Sequence, residues 1–91
     1  MATKEEKFQA ITADMLQTYR AKNADYGDAF SETYKKLGLI SAVTRITDKT
    51  NRLVSLASGN KQQVADESIE DTLKDLANYA VMTLIELQEG K

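Results

Sequence analysis

Apolar residues recur every three or four positions through most of this chain, and no stretch alternates long enough to form a strand. The first periodic stripe is Phe8, Ile11, Met15 and Tyr19, which predicts a helix with one buried face. Thr3 is placed to cap it, with Glu5 and Glu6 in its positive first turn, and the helix should fray near Lys22–Asn23. The segment Asn23-Ala24-Asp25-Tyr26-Gly27-Asp28 is the strongest turn signal, since Gly27 tolerates positive φ and Asp28 can cap the next helix.

A short second helix carries Phe30, Tyr34 and Leu37 and ends at Gly38. The spacing predicts a third helix over Ser41–Ala57 that buries Val43, Ile46, Leu53 and Val54 and stops before Gly59. A fourth begins near Ser68 and runs almost to the C-terminus. The fold class is therefore all-α: four helices, two short ones and an antiparallel pair of longer ones, in one domain spanning residues 1–91. A 91-residue domain has a marginal core, so a homo-oligomer is expected.

Composition narrows the chemistry. With no cysteine and no histidine, thiol and imidazole catalysis and Cys/His zinc sites are excluded. A metal would have to be held by oxygen, which points to Mg2+ or Mn2+. The opening MATKEEKFQAIT lacks the apolar centre of a signal peptide, and no apolar run matches a membrane span, so a cytoplasmic location is expected. The net charge of −2 conceals an asymmetry: residues 1–60 hold nine Lys/Arg against seven Asp/Glu, and residues 61–91 hold three against seven. No broad basic footprint for duplex nucleic acid is present.

Two charged stripes stand out. On the third helix Arg45, Asp48, Lys49 and Arg52 share one face, a row that can clamp a phosphate. The plainer alternative is a solvated face in which Asp48 pairs with Arg45 and Arg52. On the fourth helix Glu67, Asp71, Asp75 and Asn78 form a stripe opposite Ile69, Leu73, Leu76, Ala80, Leu84 and Leu87. That acidic stripe continues into Met82 and Ile85, and the helix's second half is apolar nearly all round, which predicts enclosure by neighbours. The carboxylates should thus sit at the mouth of a groove. A divalent ion held by Glu67, Asp71 and Asp75 would relieve their repulsion, with Asp48 a further candidate ligand; so would the basic row of the third helix. Tyr26 either stacks on a base, with Lys22 or Asn23 on phosphate or sugar, or only plugs the edge of the core.

The segments Lys22-Asn23-Ala24-Asp25-Tyr26-Gly27, Asp48-Lys49, Arg52-Leu53, Asp66-Glu67-Ser68 and Asp71-Thr72-Leu73-Lys74-Asp75-Leu76-Ala77-Asn78-Tyr79-Ala80, in that order, resemble the nucleotide-modification-associated domain family. The likeness covers about residues 18–87. It implies an all-α fold and a bacteriophage-type setting among nucleotide-metabolism or DNA-modification genes, hence host cytoplasm if viral. Acidic residues followed by Leu-Ala-Asn-Tyr-Ala are also similar to MazG-like all-α nucleotide pyrophosphohydrolases. That similarity implies magnesium-bearing carboxylates at Glu67, Asp71 and Asp75. The Glu-x-x-Glu pair of those enzymes is missing, because Arg45, Asp48, Lys49 and Arg52 stand in its place.

The leading expectation is a nucleotide-binding homo-oligomer in which Arg45, Lys49 and Arg52 contact phosphate and Lys22, Tyr26 and Asn78 complete the site. A magnesium-dependent nucleoside-phosphate hydrolase is the second. A viral interaction protein that blocks a host protein or sequesters a nucleotide messenger is the third.

Overall fold

The computed structural model describes the backbone of residues 1–26, 28–59 and 65–90, and the side chains of these except 24–26 and 65–67. Four helices follow one another: α1 (Lys4–Tyr26), α2 (Ala29–Leu37), α3 (Leu39–Ala57) and α4 (Ala65–Glu89). No strand occurs among the described residues.

Local chemistry sets the helix ends. Thr3 Oγ1 accepts from the Glu6 backbone N–H at 3.1 Å, while Glu6 Oε1 accepts from the Thr3 N–H at 2.8 Å. This reciprocal capping box satisfies two donors that the first turn leaves open. α1 then runs through Tyr26 and past the expected fraying point, so α2 alone is short. Asp28 does take the N-cap of α2, but through its carbonyl, which accepts from the Glu32 N–H at 3.1 Å; its side chain makes no cap bond. Gly38 divides α2 from α3 at φ 79° and ψ −168°, a conformation open to glycine alone. Its N–H closes α2 on the Tyr34 carbonyl at 2.7 Å, and its carbonyl accepts from Ser41. α3 ends before Gly59, which also has positive φ.

α3 and α4 make the most extensive contact of the fold. Arg45 meets Tyr79, Lys49 meets Asp75 and Arg52 meets Thr72, one number rising as the other falls, so the pair is antiparallel. Small side chains let the backbones approach. Ala42, Ser31, Thr72 and Thr83 are buried along with Leu56. Thr72 and Thr83 donate their hydroxyls to the Ser68 and Tyr79 carbonyls of their own helix, which makes them tolerable inside. Ser31 of α2 donates to Glu86 of α4 at 3.0 Å and ties the second helix to the pair.

Three burial expectations fail within this chain. Val43 and Val54 are exposed because α3 turns the Ala42–Lys49–Leu56 line toward α4 instead. Phe8 (70 % exposed) and Ile11 lie on the first half of α1, where every residue is exposed; only the Met15–Tyr19 end of that stripe is half-buried. The second half of α4 is not enclosed, since Val81, Leu84, Ile85 and Leu87 are all exposed. No helix among the described residues is long and apolar enough to cross a membrane.

Candidate functional site

The side of α4 that carries Asp75, Asn78 and Met82 faces the body of the protein, and its leucine-rich side faces out. The acidic residues are therefore drawn to where α1 and α3 supply cations. Lys49 Nζ lies 3.0 Å from Asp75 Oδ2, and Lys22 Nζ of α1 lies 3.8 Å from Oδ1 of the same carboxylate. Arg52 Nε donates to Thr72 Oγ1 at 3.3 Å. The Arg45 guanidinium lies 6.0 Å from the centre of the Tyr79 ring, within reach of a cation–π contact. Arg45 and Arg52 thus engage α4 and form no ion pair with Asp48, while both arginines stay exposed, as a solvated face would have them. A third ion pair, Lys74 to Asp14 at 3.4 Å, fastens α1 to α4 on this side.

Between the four helices these contacts leave a cavity of about 260 Å³. Tyr19, Phe30, Tyr79 and Met82 give it apolar walls. Phe30 and Tyr79 stack with ring centres 6.0 Å apart at 28°. Lys22, Asn23, Arg45, Asp75 and Asn78 supply the polar lining, with Thr18 and Ala29 filling the remainder. The cavity thus combines aromatic faces, two amides and two cations around one carboxylate that two lysines already neutralise.

Of the residues singled out from sequence, Lys22, Asn23, Arg45, Asp75 and Asn78 come together on this cavity. Lys49 stands behind it, bonded to Asp75, and Arg52 is directed to Thr72. Asp48 and Asp71 are exposed and line no part of it. The Tyr26 and Glu67 side chains lie outside the described residues. Among the described residues no three acidic side chains gather into a metal-binding group, and Asp75 is flanked by ammonium groups. The Asp75 carboxylate is thus engaged by Lys49 and Lys22 in this arrangement.

The family model for nucleotide modification associated domain 1 matches residues 22–87, most of the chain. The chain belongs to this family. No curated protein and no solved structure matches it. In this nucleotide-modification-associated domain the matched span starts at Lys22 and so takes in every cavity residue except Thr18 and Tyr19. Tyr19, Phe30 and Tyr79 are the aromatic lining residues, and sequence reasoning assigned none of them to a site. Tyr19 and Phe30 read as core positions on their stripes, and Tyr79 carried no signal beyond its place beside Asn78. Only the packing of α1 and α2 against α4 turns these three rings toward one space.

Proposed function

We propose that this domain binds a small nucleotide in the four-helix cavity. Base and sugar enter the aromatic part lined by Tyr19, Phe30 and Tyr79, where ring faces and apolar walls suit a flat heterocycle. The amides of Asn23 and Asn78 offer both donors and acceptors for a base edge or sugar hydroxyls. Phosphate meets Lys22 and Arg45 at the rim, a point charge beside a forked donor. Lys49 neutralises Asp75, so the carboxylate does not repel the incoming anion. At about 260 Å³ the cavity is slightly below the range for drug-sized ligands, which favours a mononucleotide over a dinucleotide.

The observation that carries this reading is the convergence of Lys22 and Arg45 with three rings on one cavity in a chain of this family. Titration calorimetry across nucleoside mono-, di- and triphosphates, with and without magnesium, tests it. A mononucleotide should bind, and Arg45→Ala should weaken it about 10-fold or more, as expected for one charge-assisted hydrogen bond. Absence of heat for every nucleotide, or binding untouched by both Arg45→Ala and Lys22→Ala, overturns the reading. Following phosphate release in the same samples distinguishes a binder from a hydrolase.

A further inference from the structure

Among the described residues one side of the α3–α4 pair is left uncovered, and it carries no charged side chain along two rows of helix positions. On α4 the outward positions 73, 77, 80, 84 and 87 step by four and three, and they are Leu, Ala, Ala, Leu and Leu. Leu73 is 49 % exposed and Leu84 57 %. On α3 the positions 40, 43, 47, 50 and 54 step by three and four, and they are Ile, Val, Thr, Thr and Val. Ile40 is 66 % exposed and Val54 61 %. Thr50 turns its hydroxyl back to the Ile46 carbonyl at 2.9 Å, which satisfies its polar group within the helix. None of these ten positions is charged. Alternating steps of three and four with apolar side chains are the pattern of a helix surface that packs against further helices.

The two rows lie on the same side. At about 100° per residue each stands a little over a quarter-turn from the line its helix presses on the other, in the same rotational sense. In an antiparallel pair, equal rotation in the same sense brings both rows to one side. The opposite side carries Arg45, Asn78 and the cavity, with α1 held there by Lys22–Asp75 and Lys74–Asp14.

The amount of surface indicates what covers the bare side. The chain exposes 7153 Å². A folded monomer of 10.1 kDa is expected to expose about 5,300 Å². Its radius of gyration is 14.9 Å, against about 12 Å for a compact 91-residue domain. The excess, on the order of 1,800 Å², falls within the roughly 1,000–2,500 Å² that each subunit of an obligate homodimer buries, with the exposed first half of α1 contributing a share.

We propose that a second copy of this chain covers the bare side, the two α3–α4 pairs packing face to face as a four-helix layer. A two-fold dimer needs one self-complementary patch, and an uncharged apolar face of this size provides it. The cavities then lie on the outer sides, one per subunit, each complete within its own chain.

Sedimentation velocity of the full chain at micromolar concentration should give a dimer. Ile40→Glu combined with Leu84→Glu should halve the mass while far-ultraviolet circular dichroism keeps its helical signal, since both side chains are mostly exposed in the single chain. Because the chain has no cysteine, Ala80→Cys supplies a second readout that needs no disruption: a short bis-maleimide should link it into covalent dimers, whereas Asp48→Cys, on the cavity side, should stay unlinked. A monomeric wild type overturns the proposal. So does a dimer that persists in the double variant, one that Phe8→Glu dissociates instead, or linking at Asp48→Cys in place of Ala80→Cys. The proposal does not rest on nucleotide binding, and a monomeric Ile40→Glu/Leu84→Glu variant should still bind whatever the wild type binds.

Discussion

Replacing Lys49 by Met keeps its aliphatic stem but removes the ammonium that lies 3.0 Å from Asp75. Two unit charges at that distance attract by about 5 kcal/mol at an effective dielectric constant of about 20. Most of that is offset by desolvation and by fixing two side chains. The Lys49 and Asp75 side chains keep 28 % and 34 % of their exposure, so neither class of measured pair applies outright. Exposed pairs are worth about 0.2–1 kcal/mol, and hydrogen bonds to charged groups about 1.5–3 kcal/mol. A coupling of about 1 kcal/mol between Lys49 and Asp75 results. Lys49→Met alone should destabilise by about 1–2 kcal/mol, because it leaves Asp75 with only the looser Lys22 at 3.8 Å. Each kcal/mol lowers the melting temperature of a domain this size by about 4–8 °C. The assay is a double-mutant cycle of Lys49→Met and Asp75→Asn in urea, at one fixed protein concentration because association would shift apparent stability. Rising salt should shrink the coupling without abolishing it, the pair being partly sheltered. If the two substitutions add to within about 0.3 kcal/mol, the ridges do not meet as described, and the account of the cavity's electrostatics fails with them.

Two further outcomes concern the backbone. Gly38→Ala meets no atom within 4 Å, so its cost is conformational strain at φ 79°, about 1–3 kcal/mol by chemical denaturation. A neutral effect would mean that the α2–α3 joint relaxes. The Thr3 backbone N–H, and then its hydroxyl, hold the Glu6 carboxyl below its usual range. A depressed carboxylate contributes stability that is present above its unfolded value of about 4.5 and is lost as pH falls through the lower folded value. Amide protection in the first turn of α1, taken relative to the intrinsic exchange rate at each pH, should therefore fall below about pH 4.5 in the wild type. In Glu6→Gln that pH dependence should vanish, and its persistence would refute the capping box as the cause.

Much of the molecule was legible along the chain. Four helices, the Thr3 cap, and the stops at Gly38 and before Gly59 arise from periodicity and from glycine's freedom at positive φ, which are local properties. The meeting of Lys49 with Asp75 was one of two readings the acidic stripe of α4 left open, and of the apolar residues that continue the stripe Met82 turns inward while Ile85 stays exposed. Complete lack of cysteine and histidine fixed which chemistries were open, whatever the fold.

Which side of α4 turns inward was decided only by the tertiary structure. A helical wheel ranks Ile69, Leu73, Leu76, Ala80, Leu84 and Leu87 as the buried face, yet within the chain only Ile69 and Leu76 are half-buried and the other four are exposed, while Thr72, Asp75 and Thr83 turn inward. Periodicity records that a face must be covered but not by whom, and burial within one chain and burial between copies leave the same pattern in sequence. The cavity has the same status. Tyr19, Phe30 and Tyr79 come from three helices, and the space they enclose depends on how far α1 and α2 stand from α4, a distance set by packing and carried by no single segment.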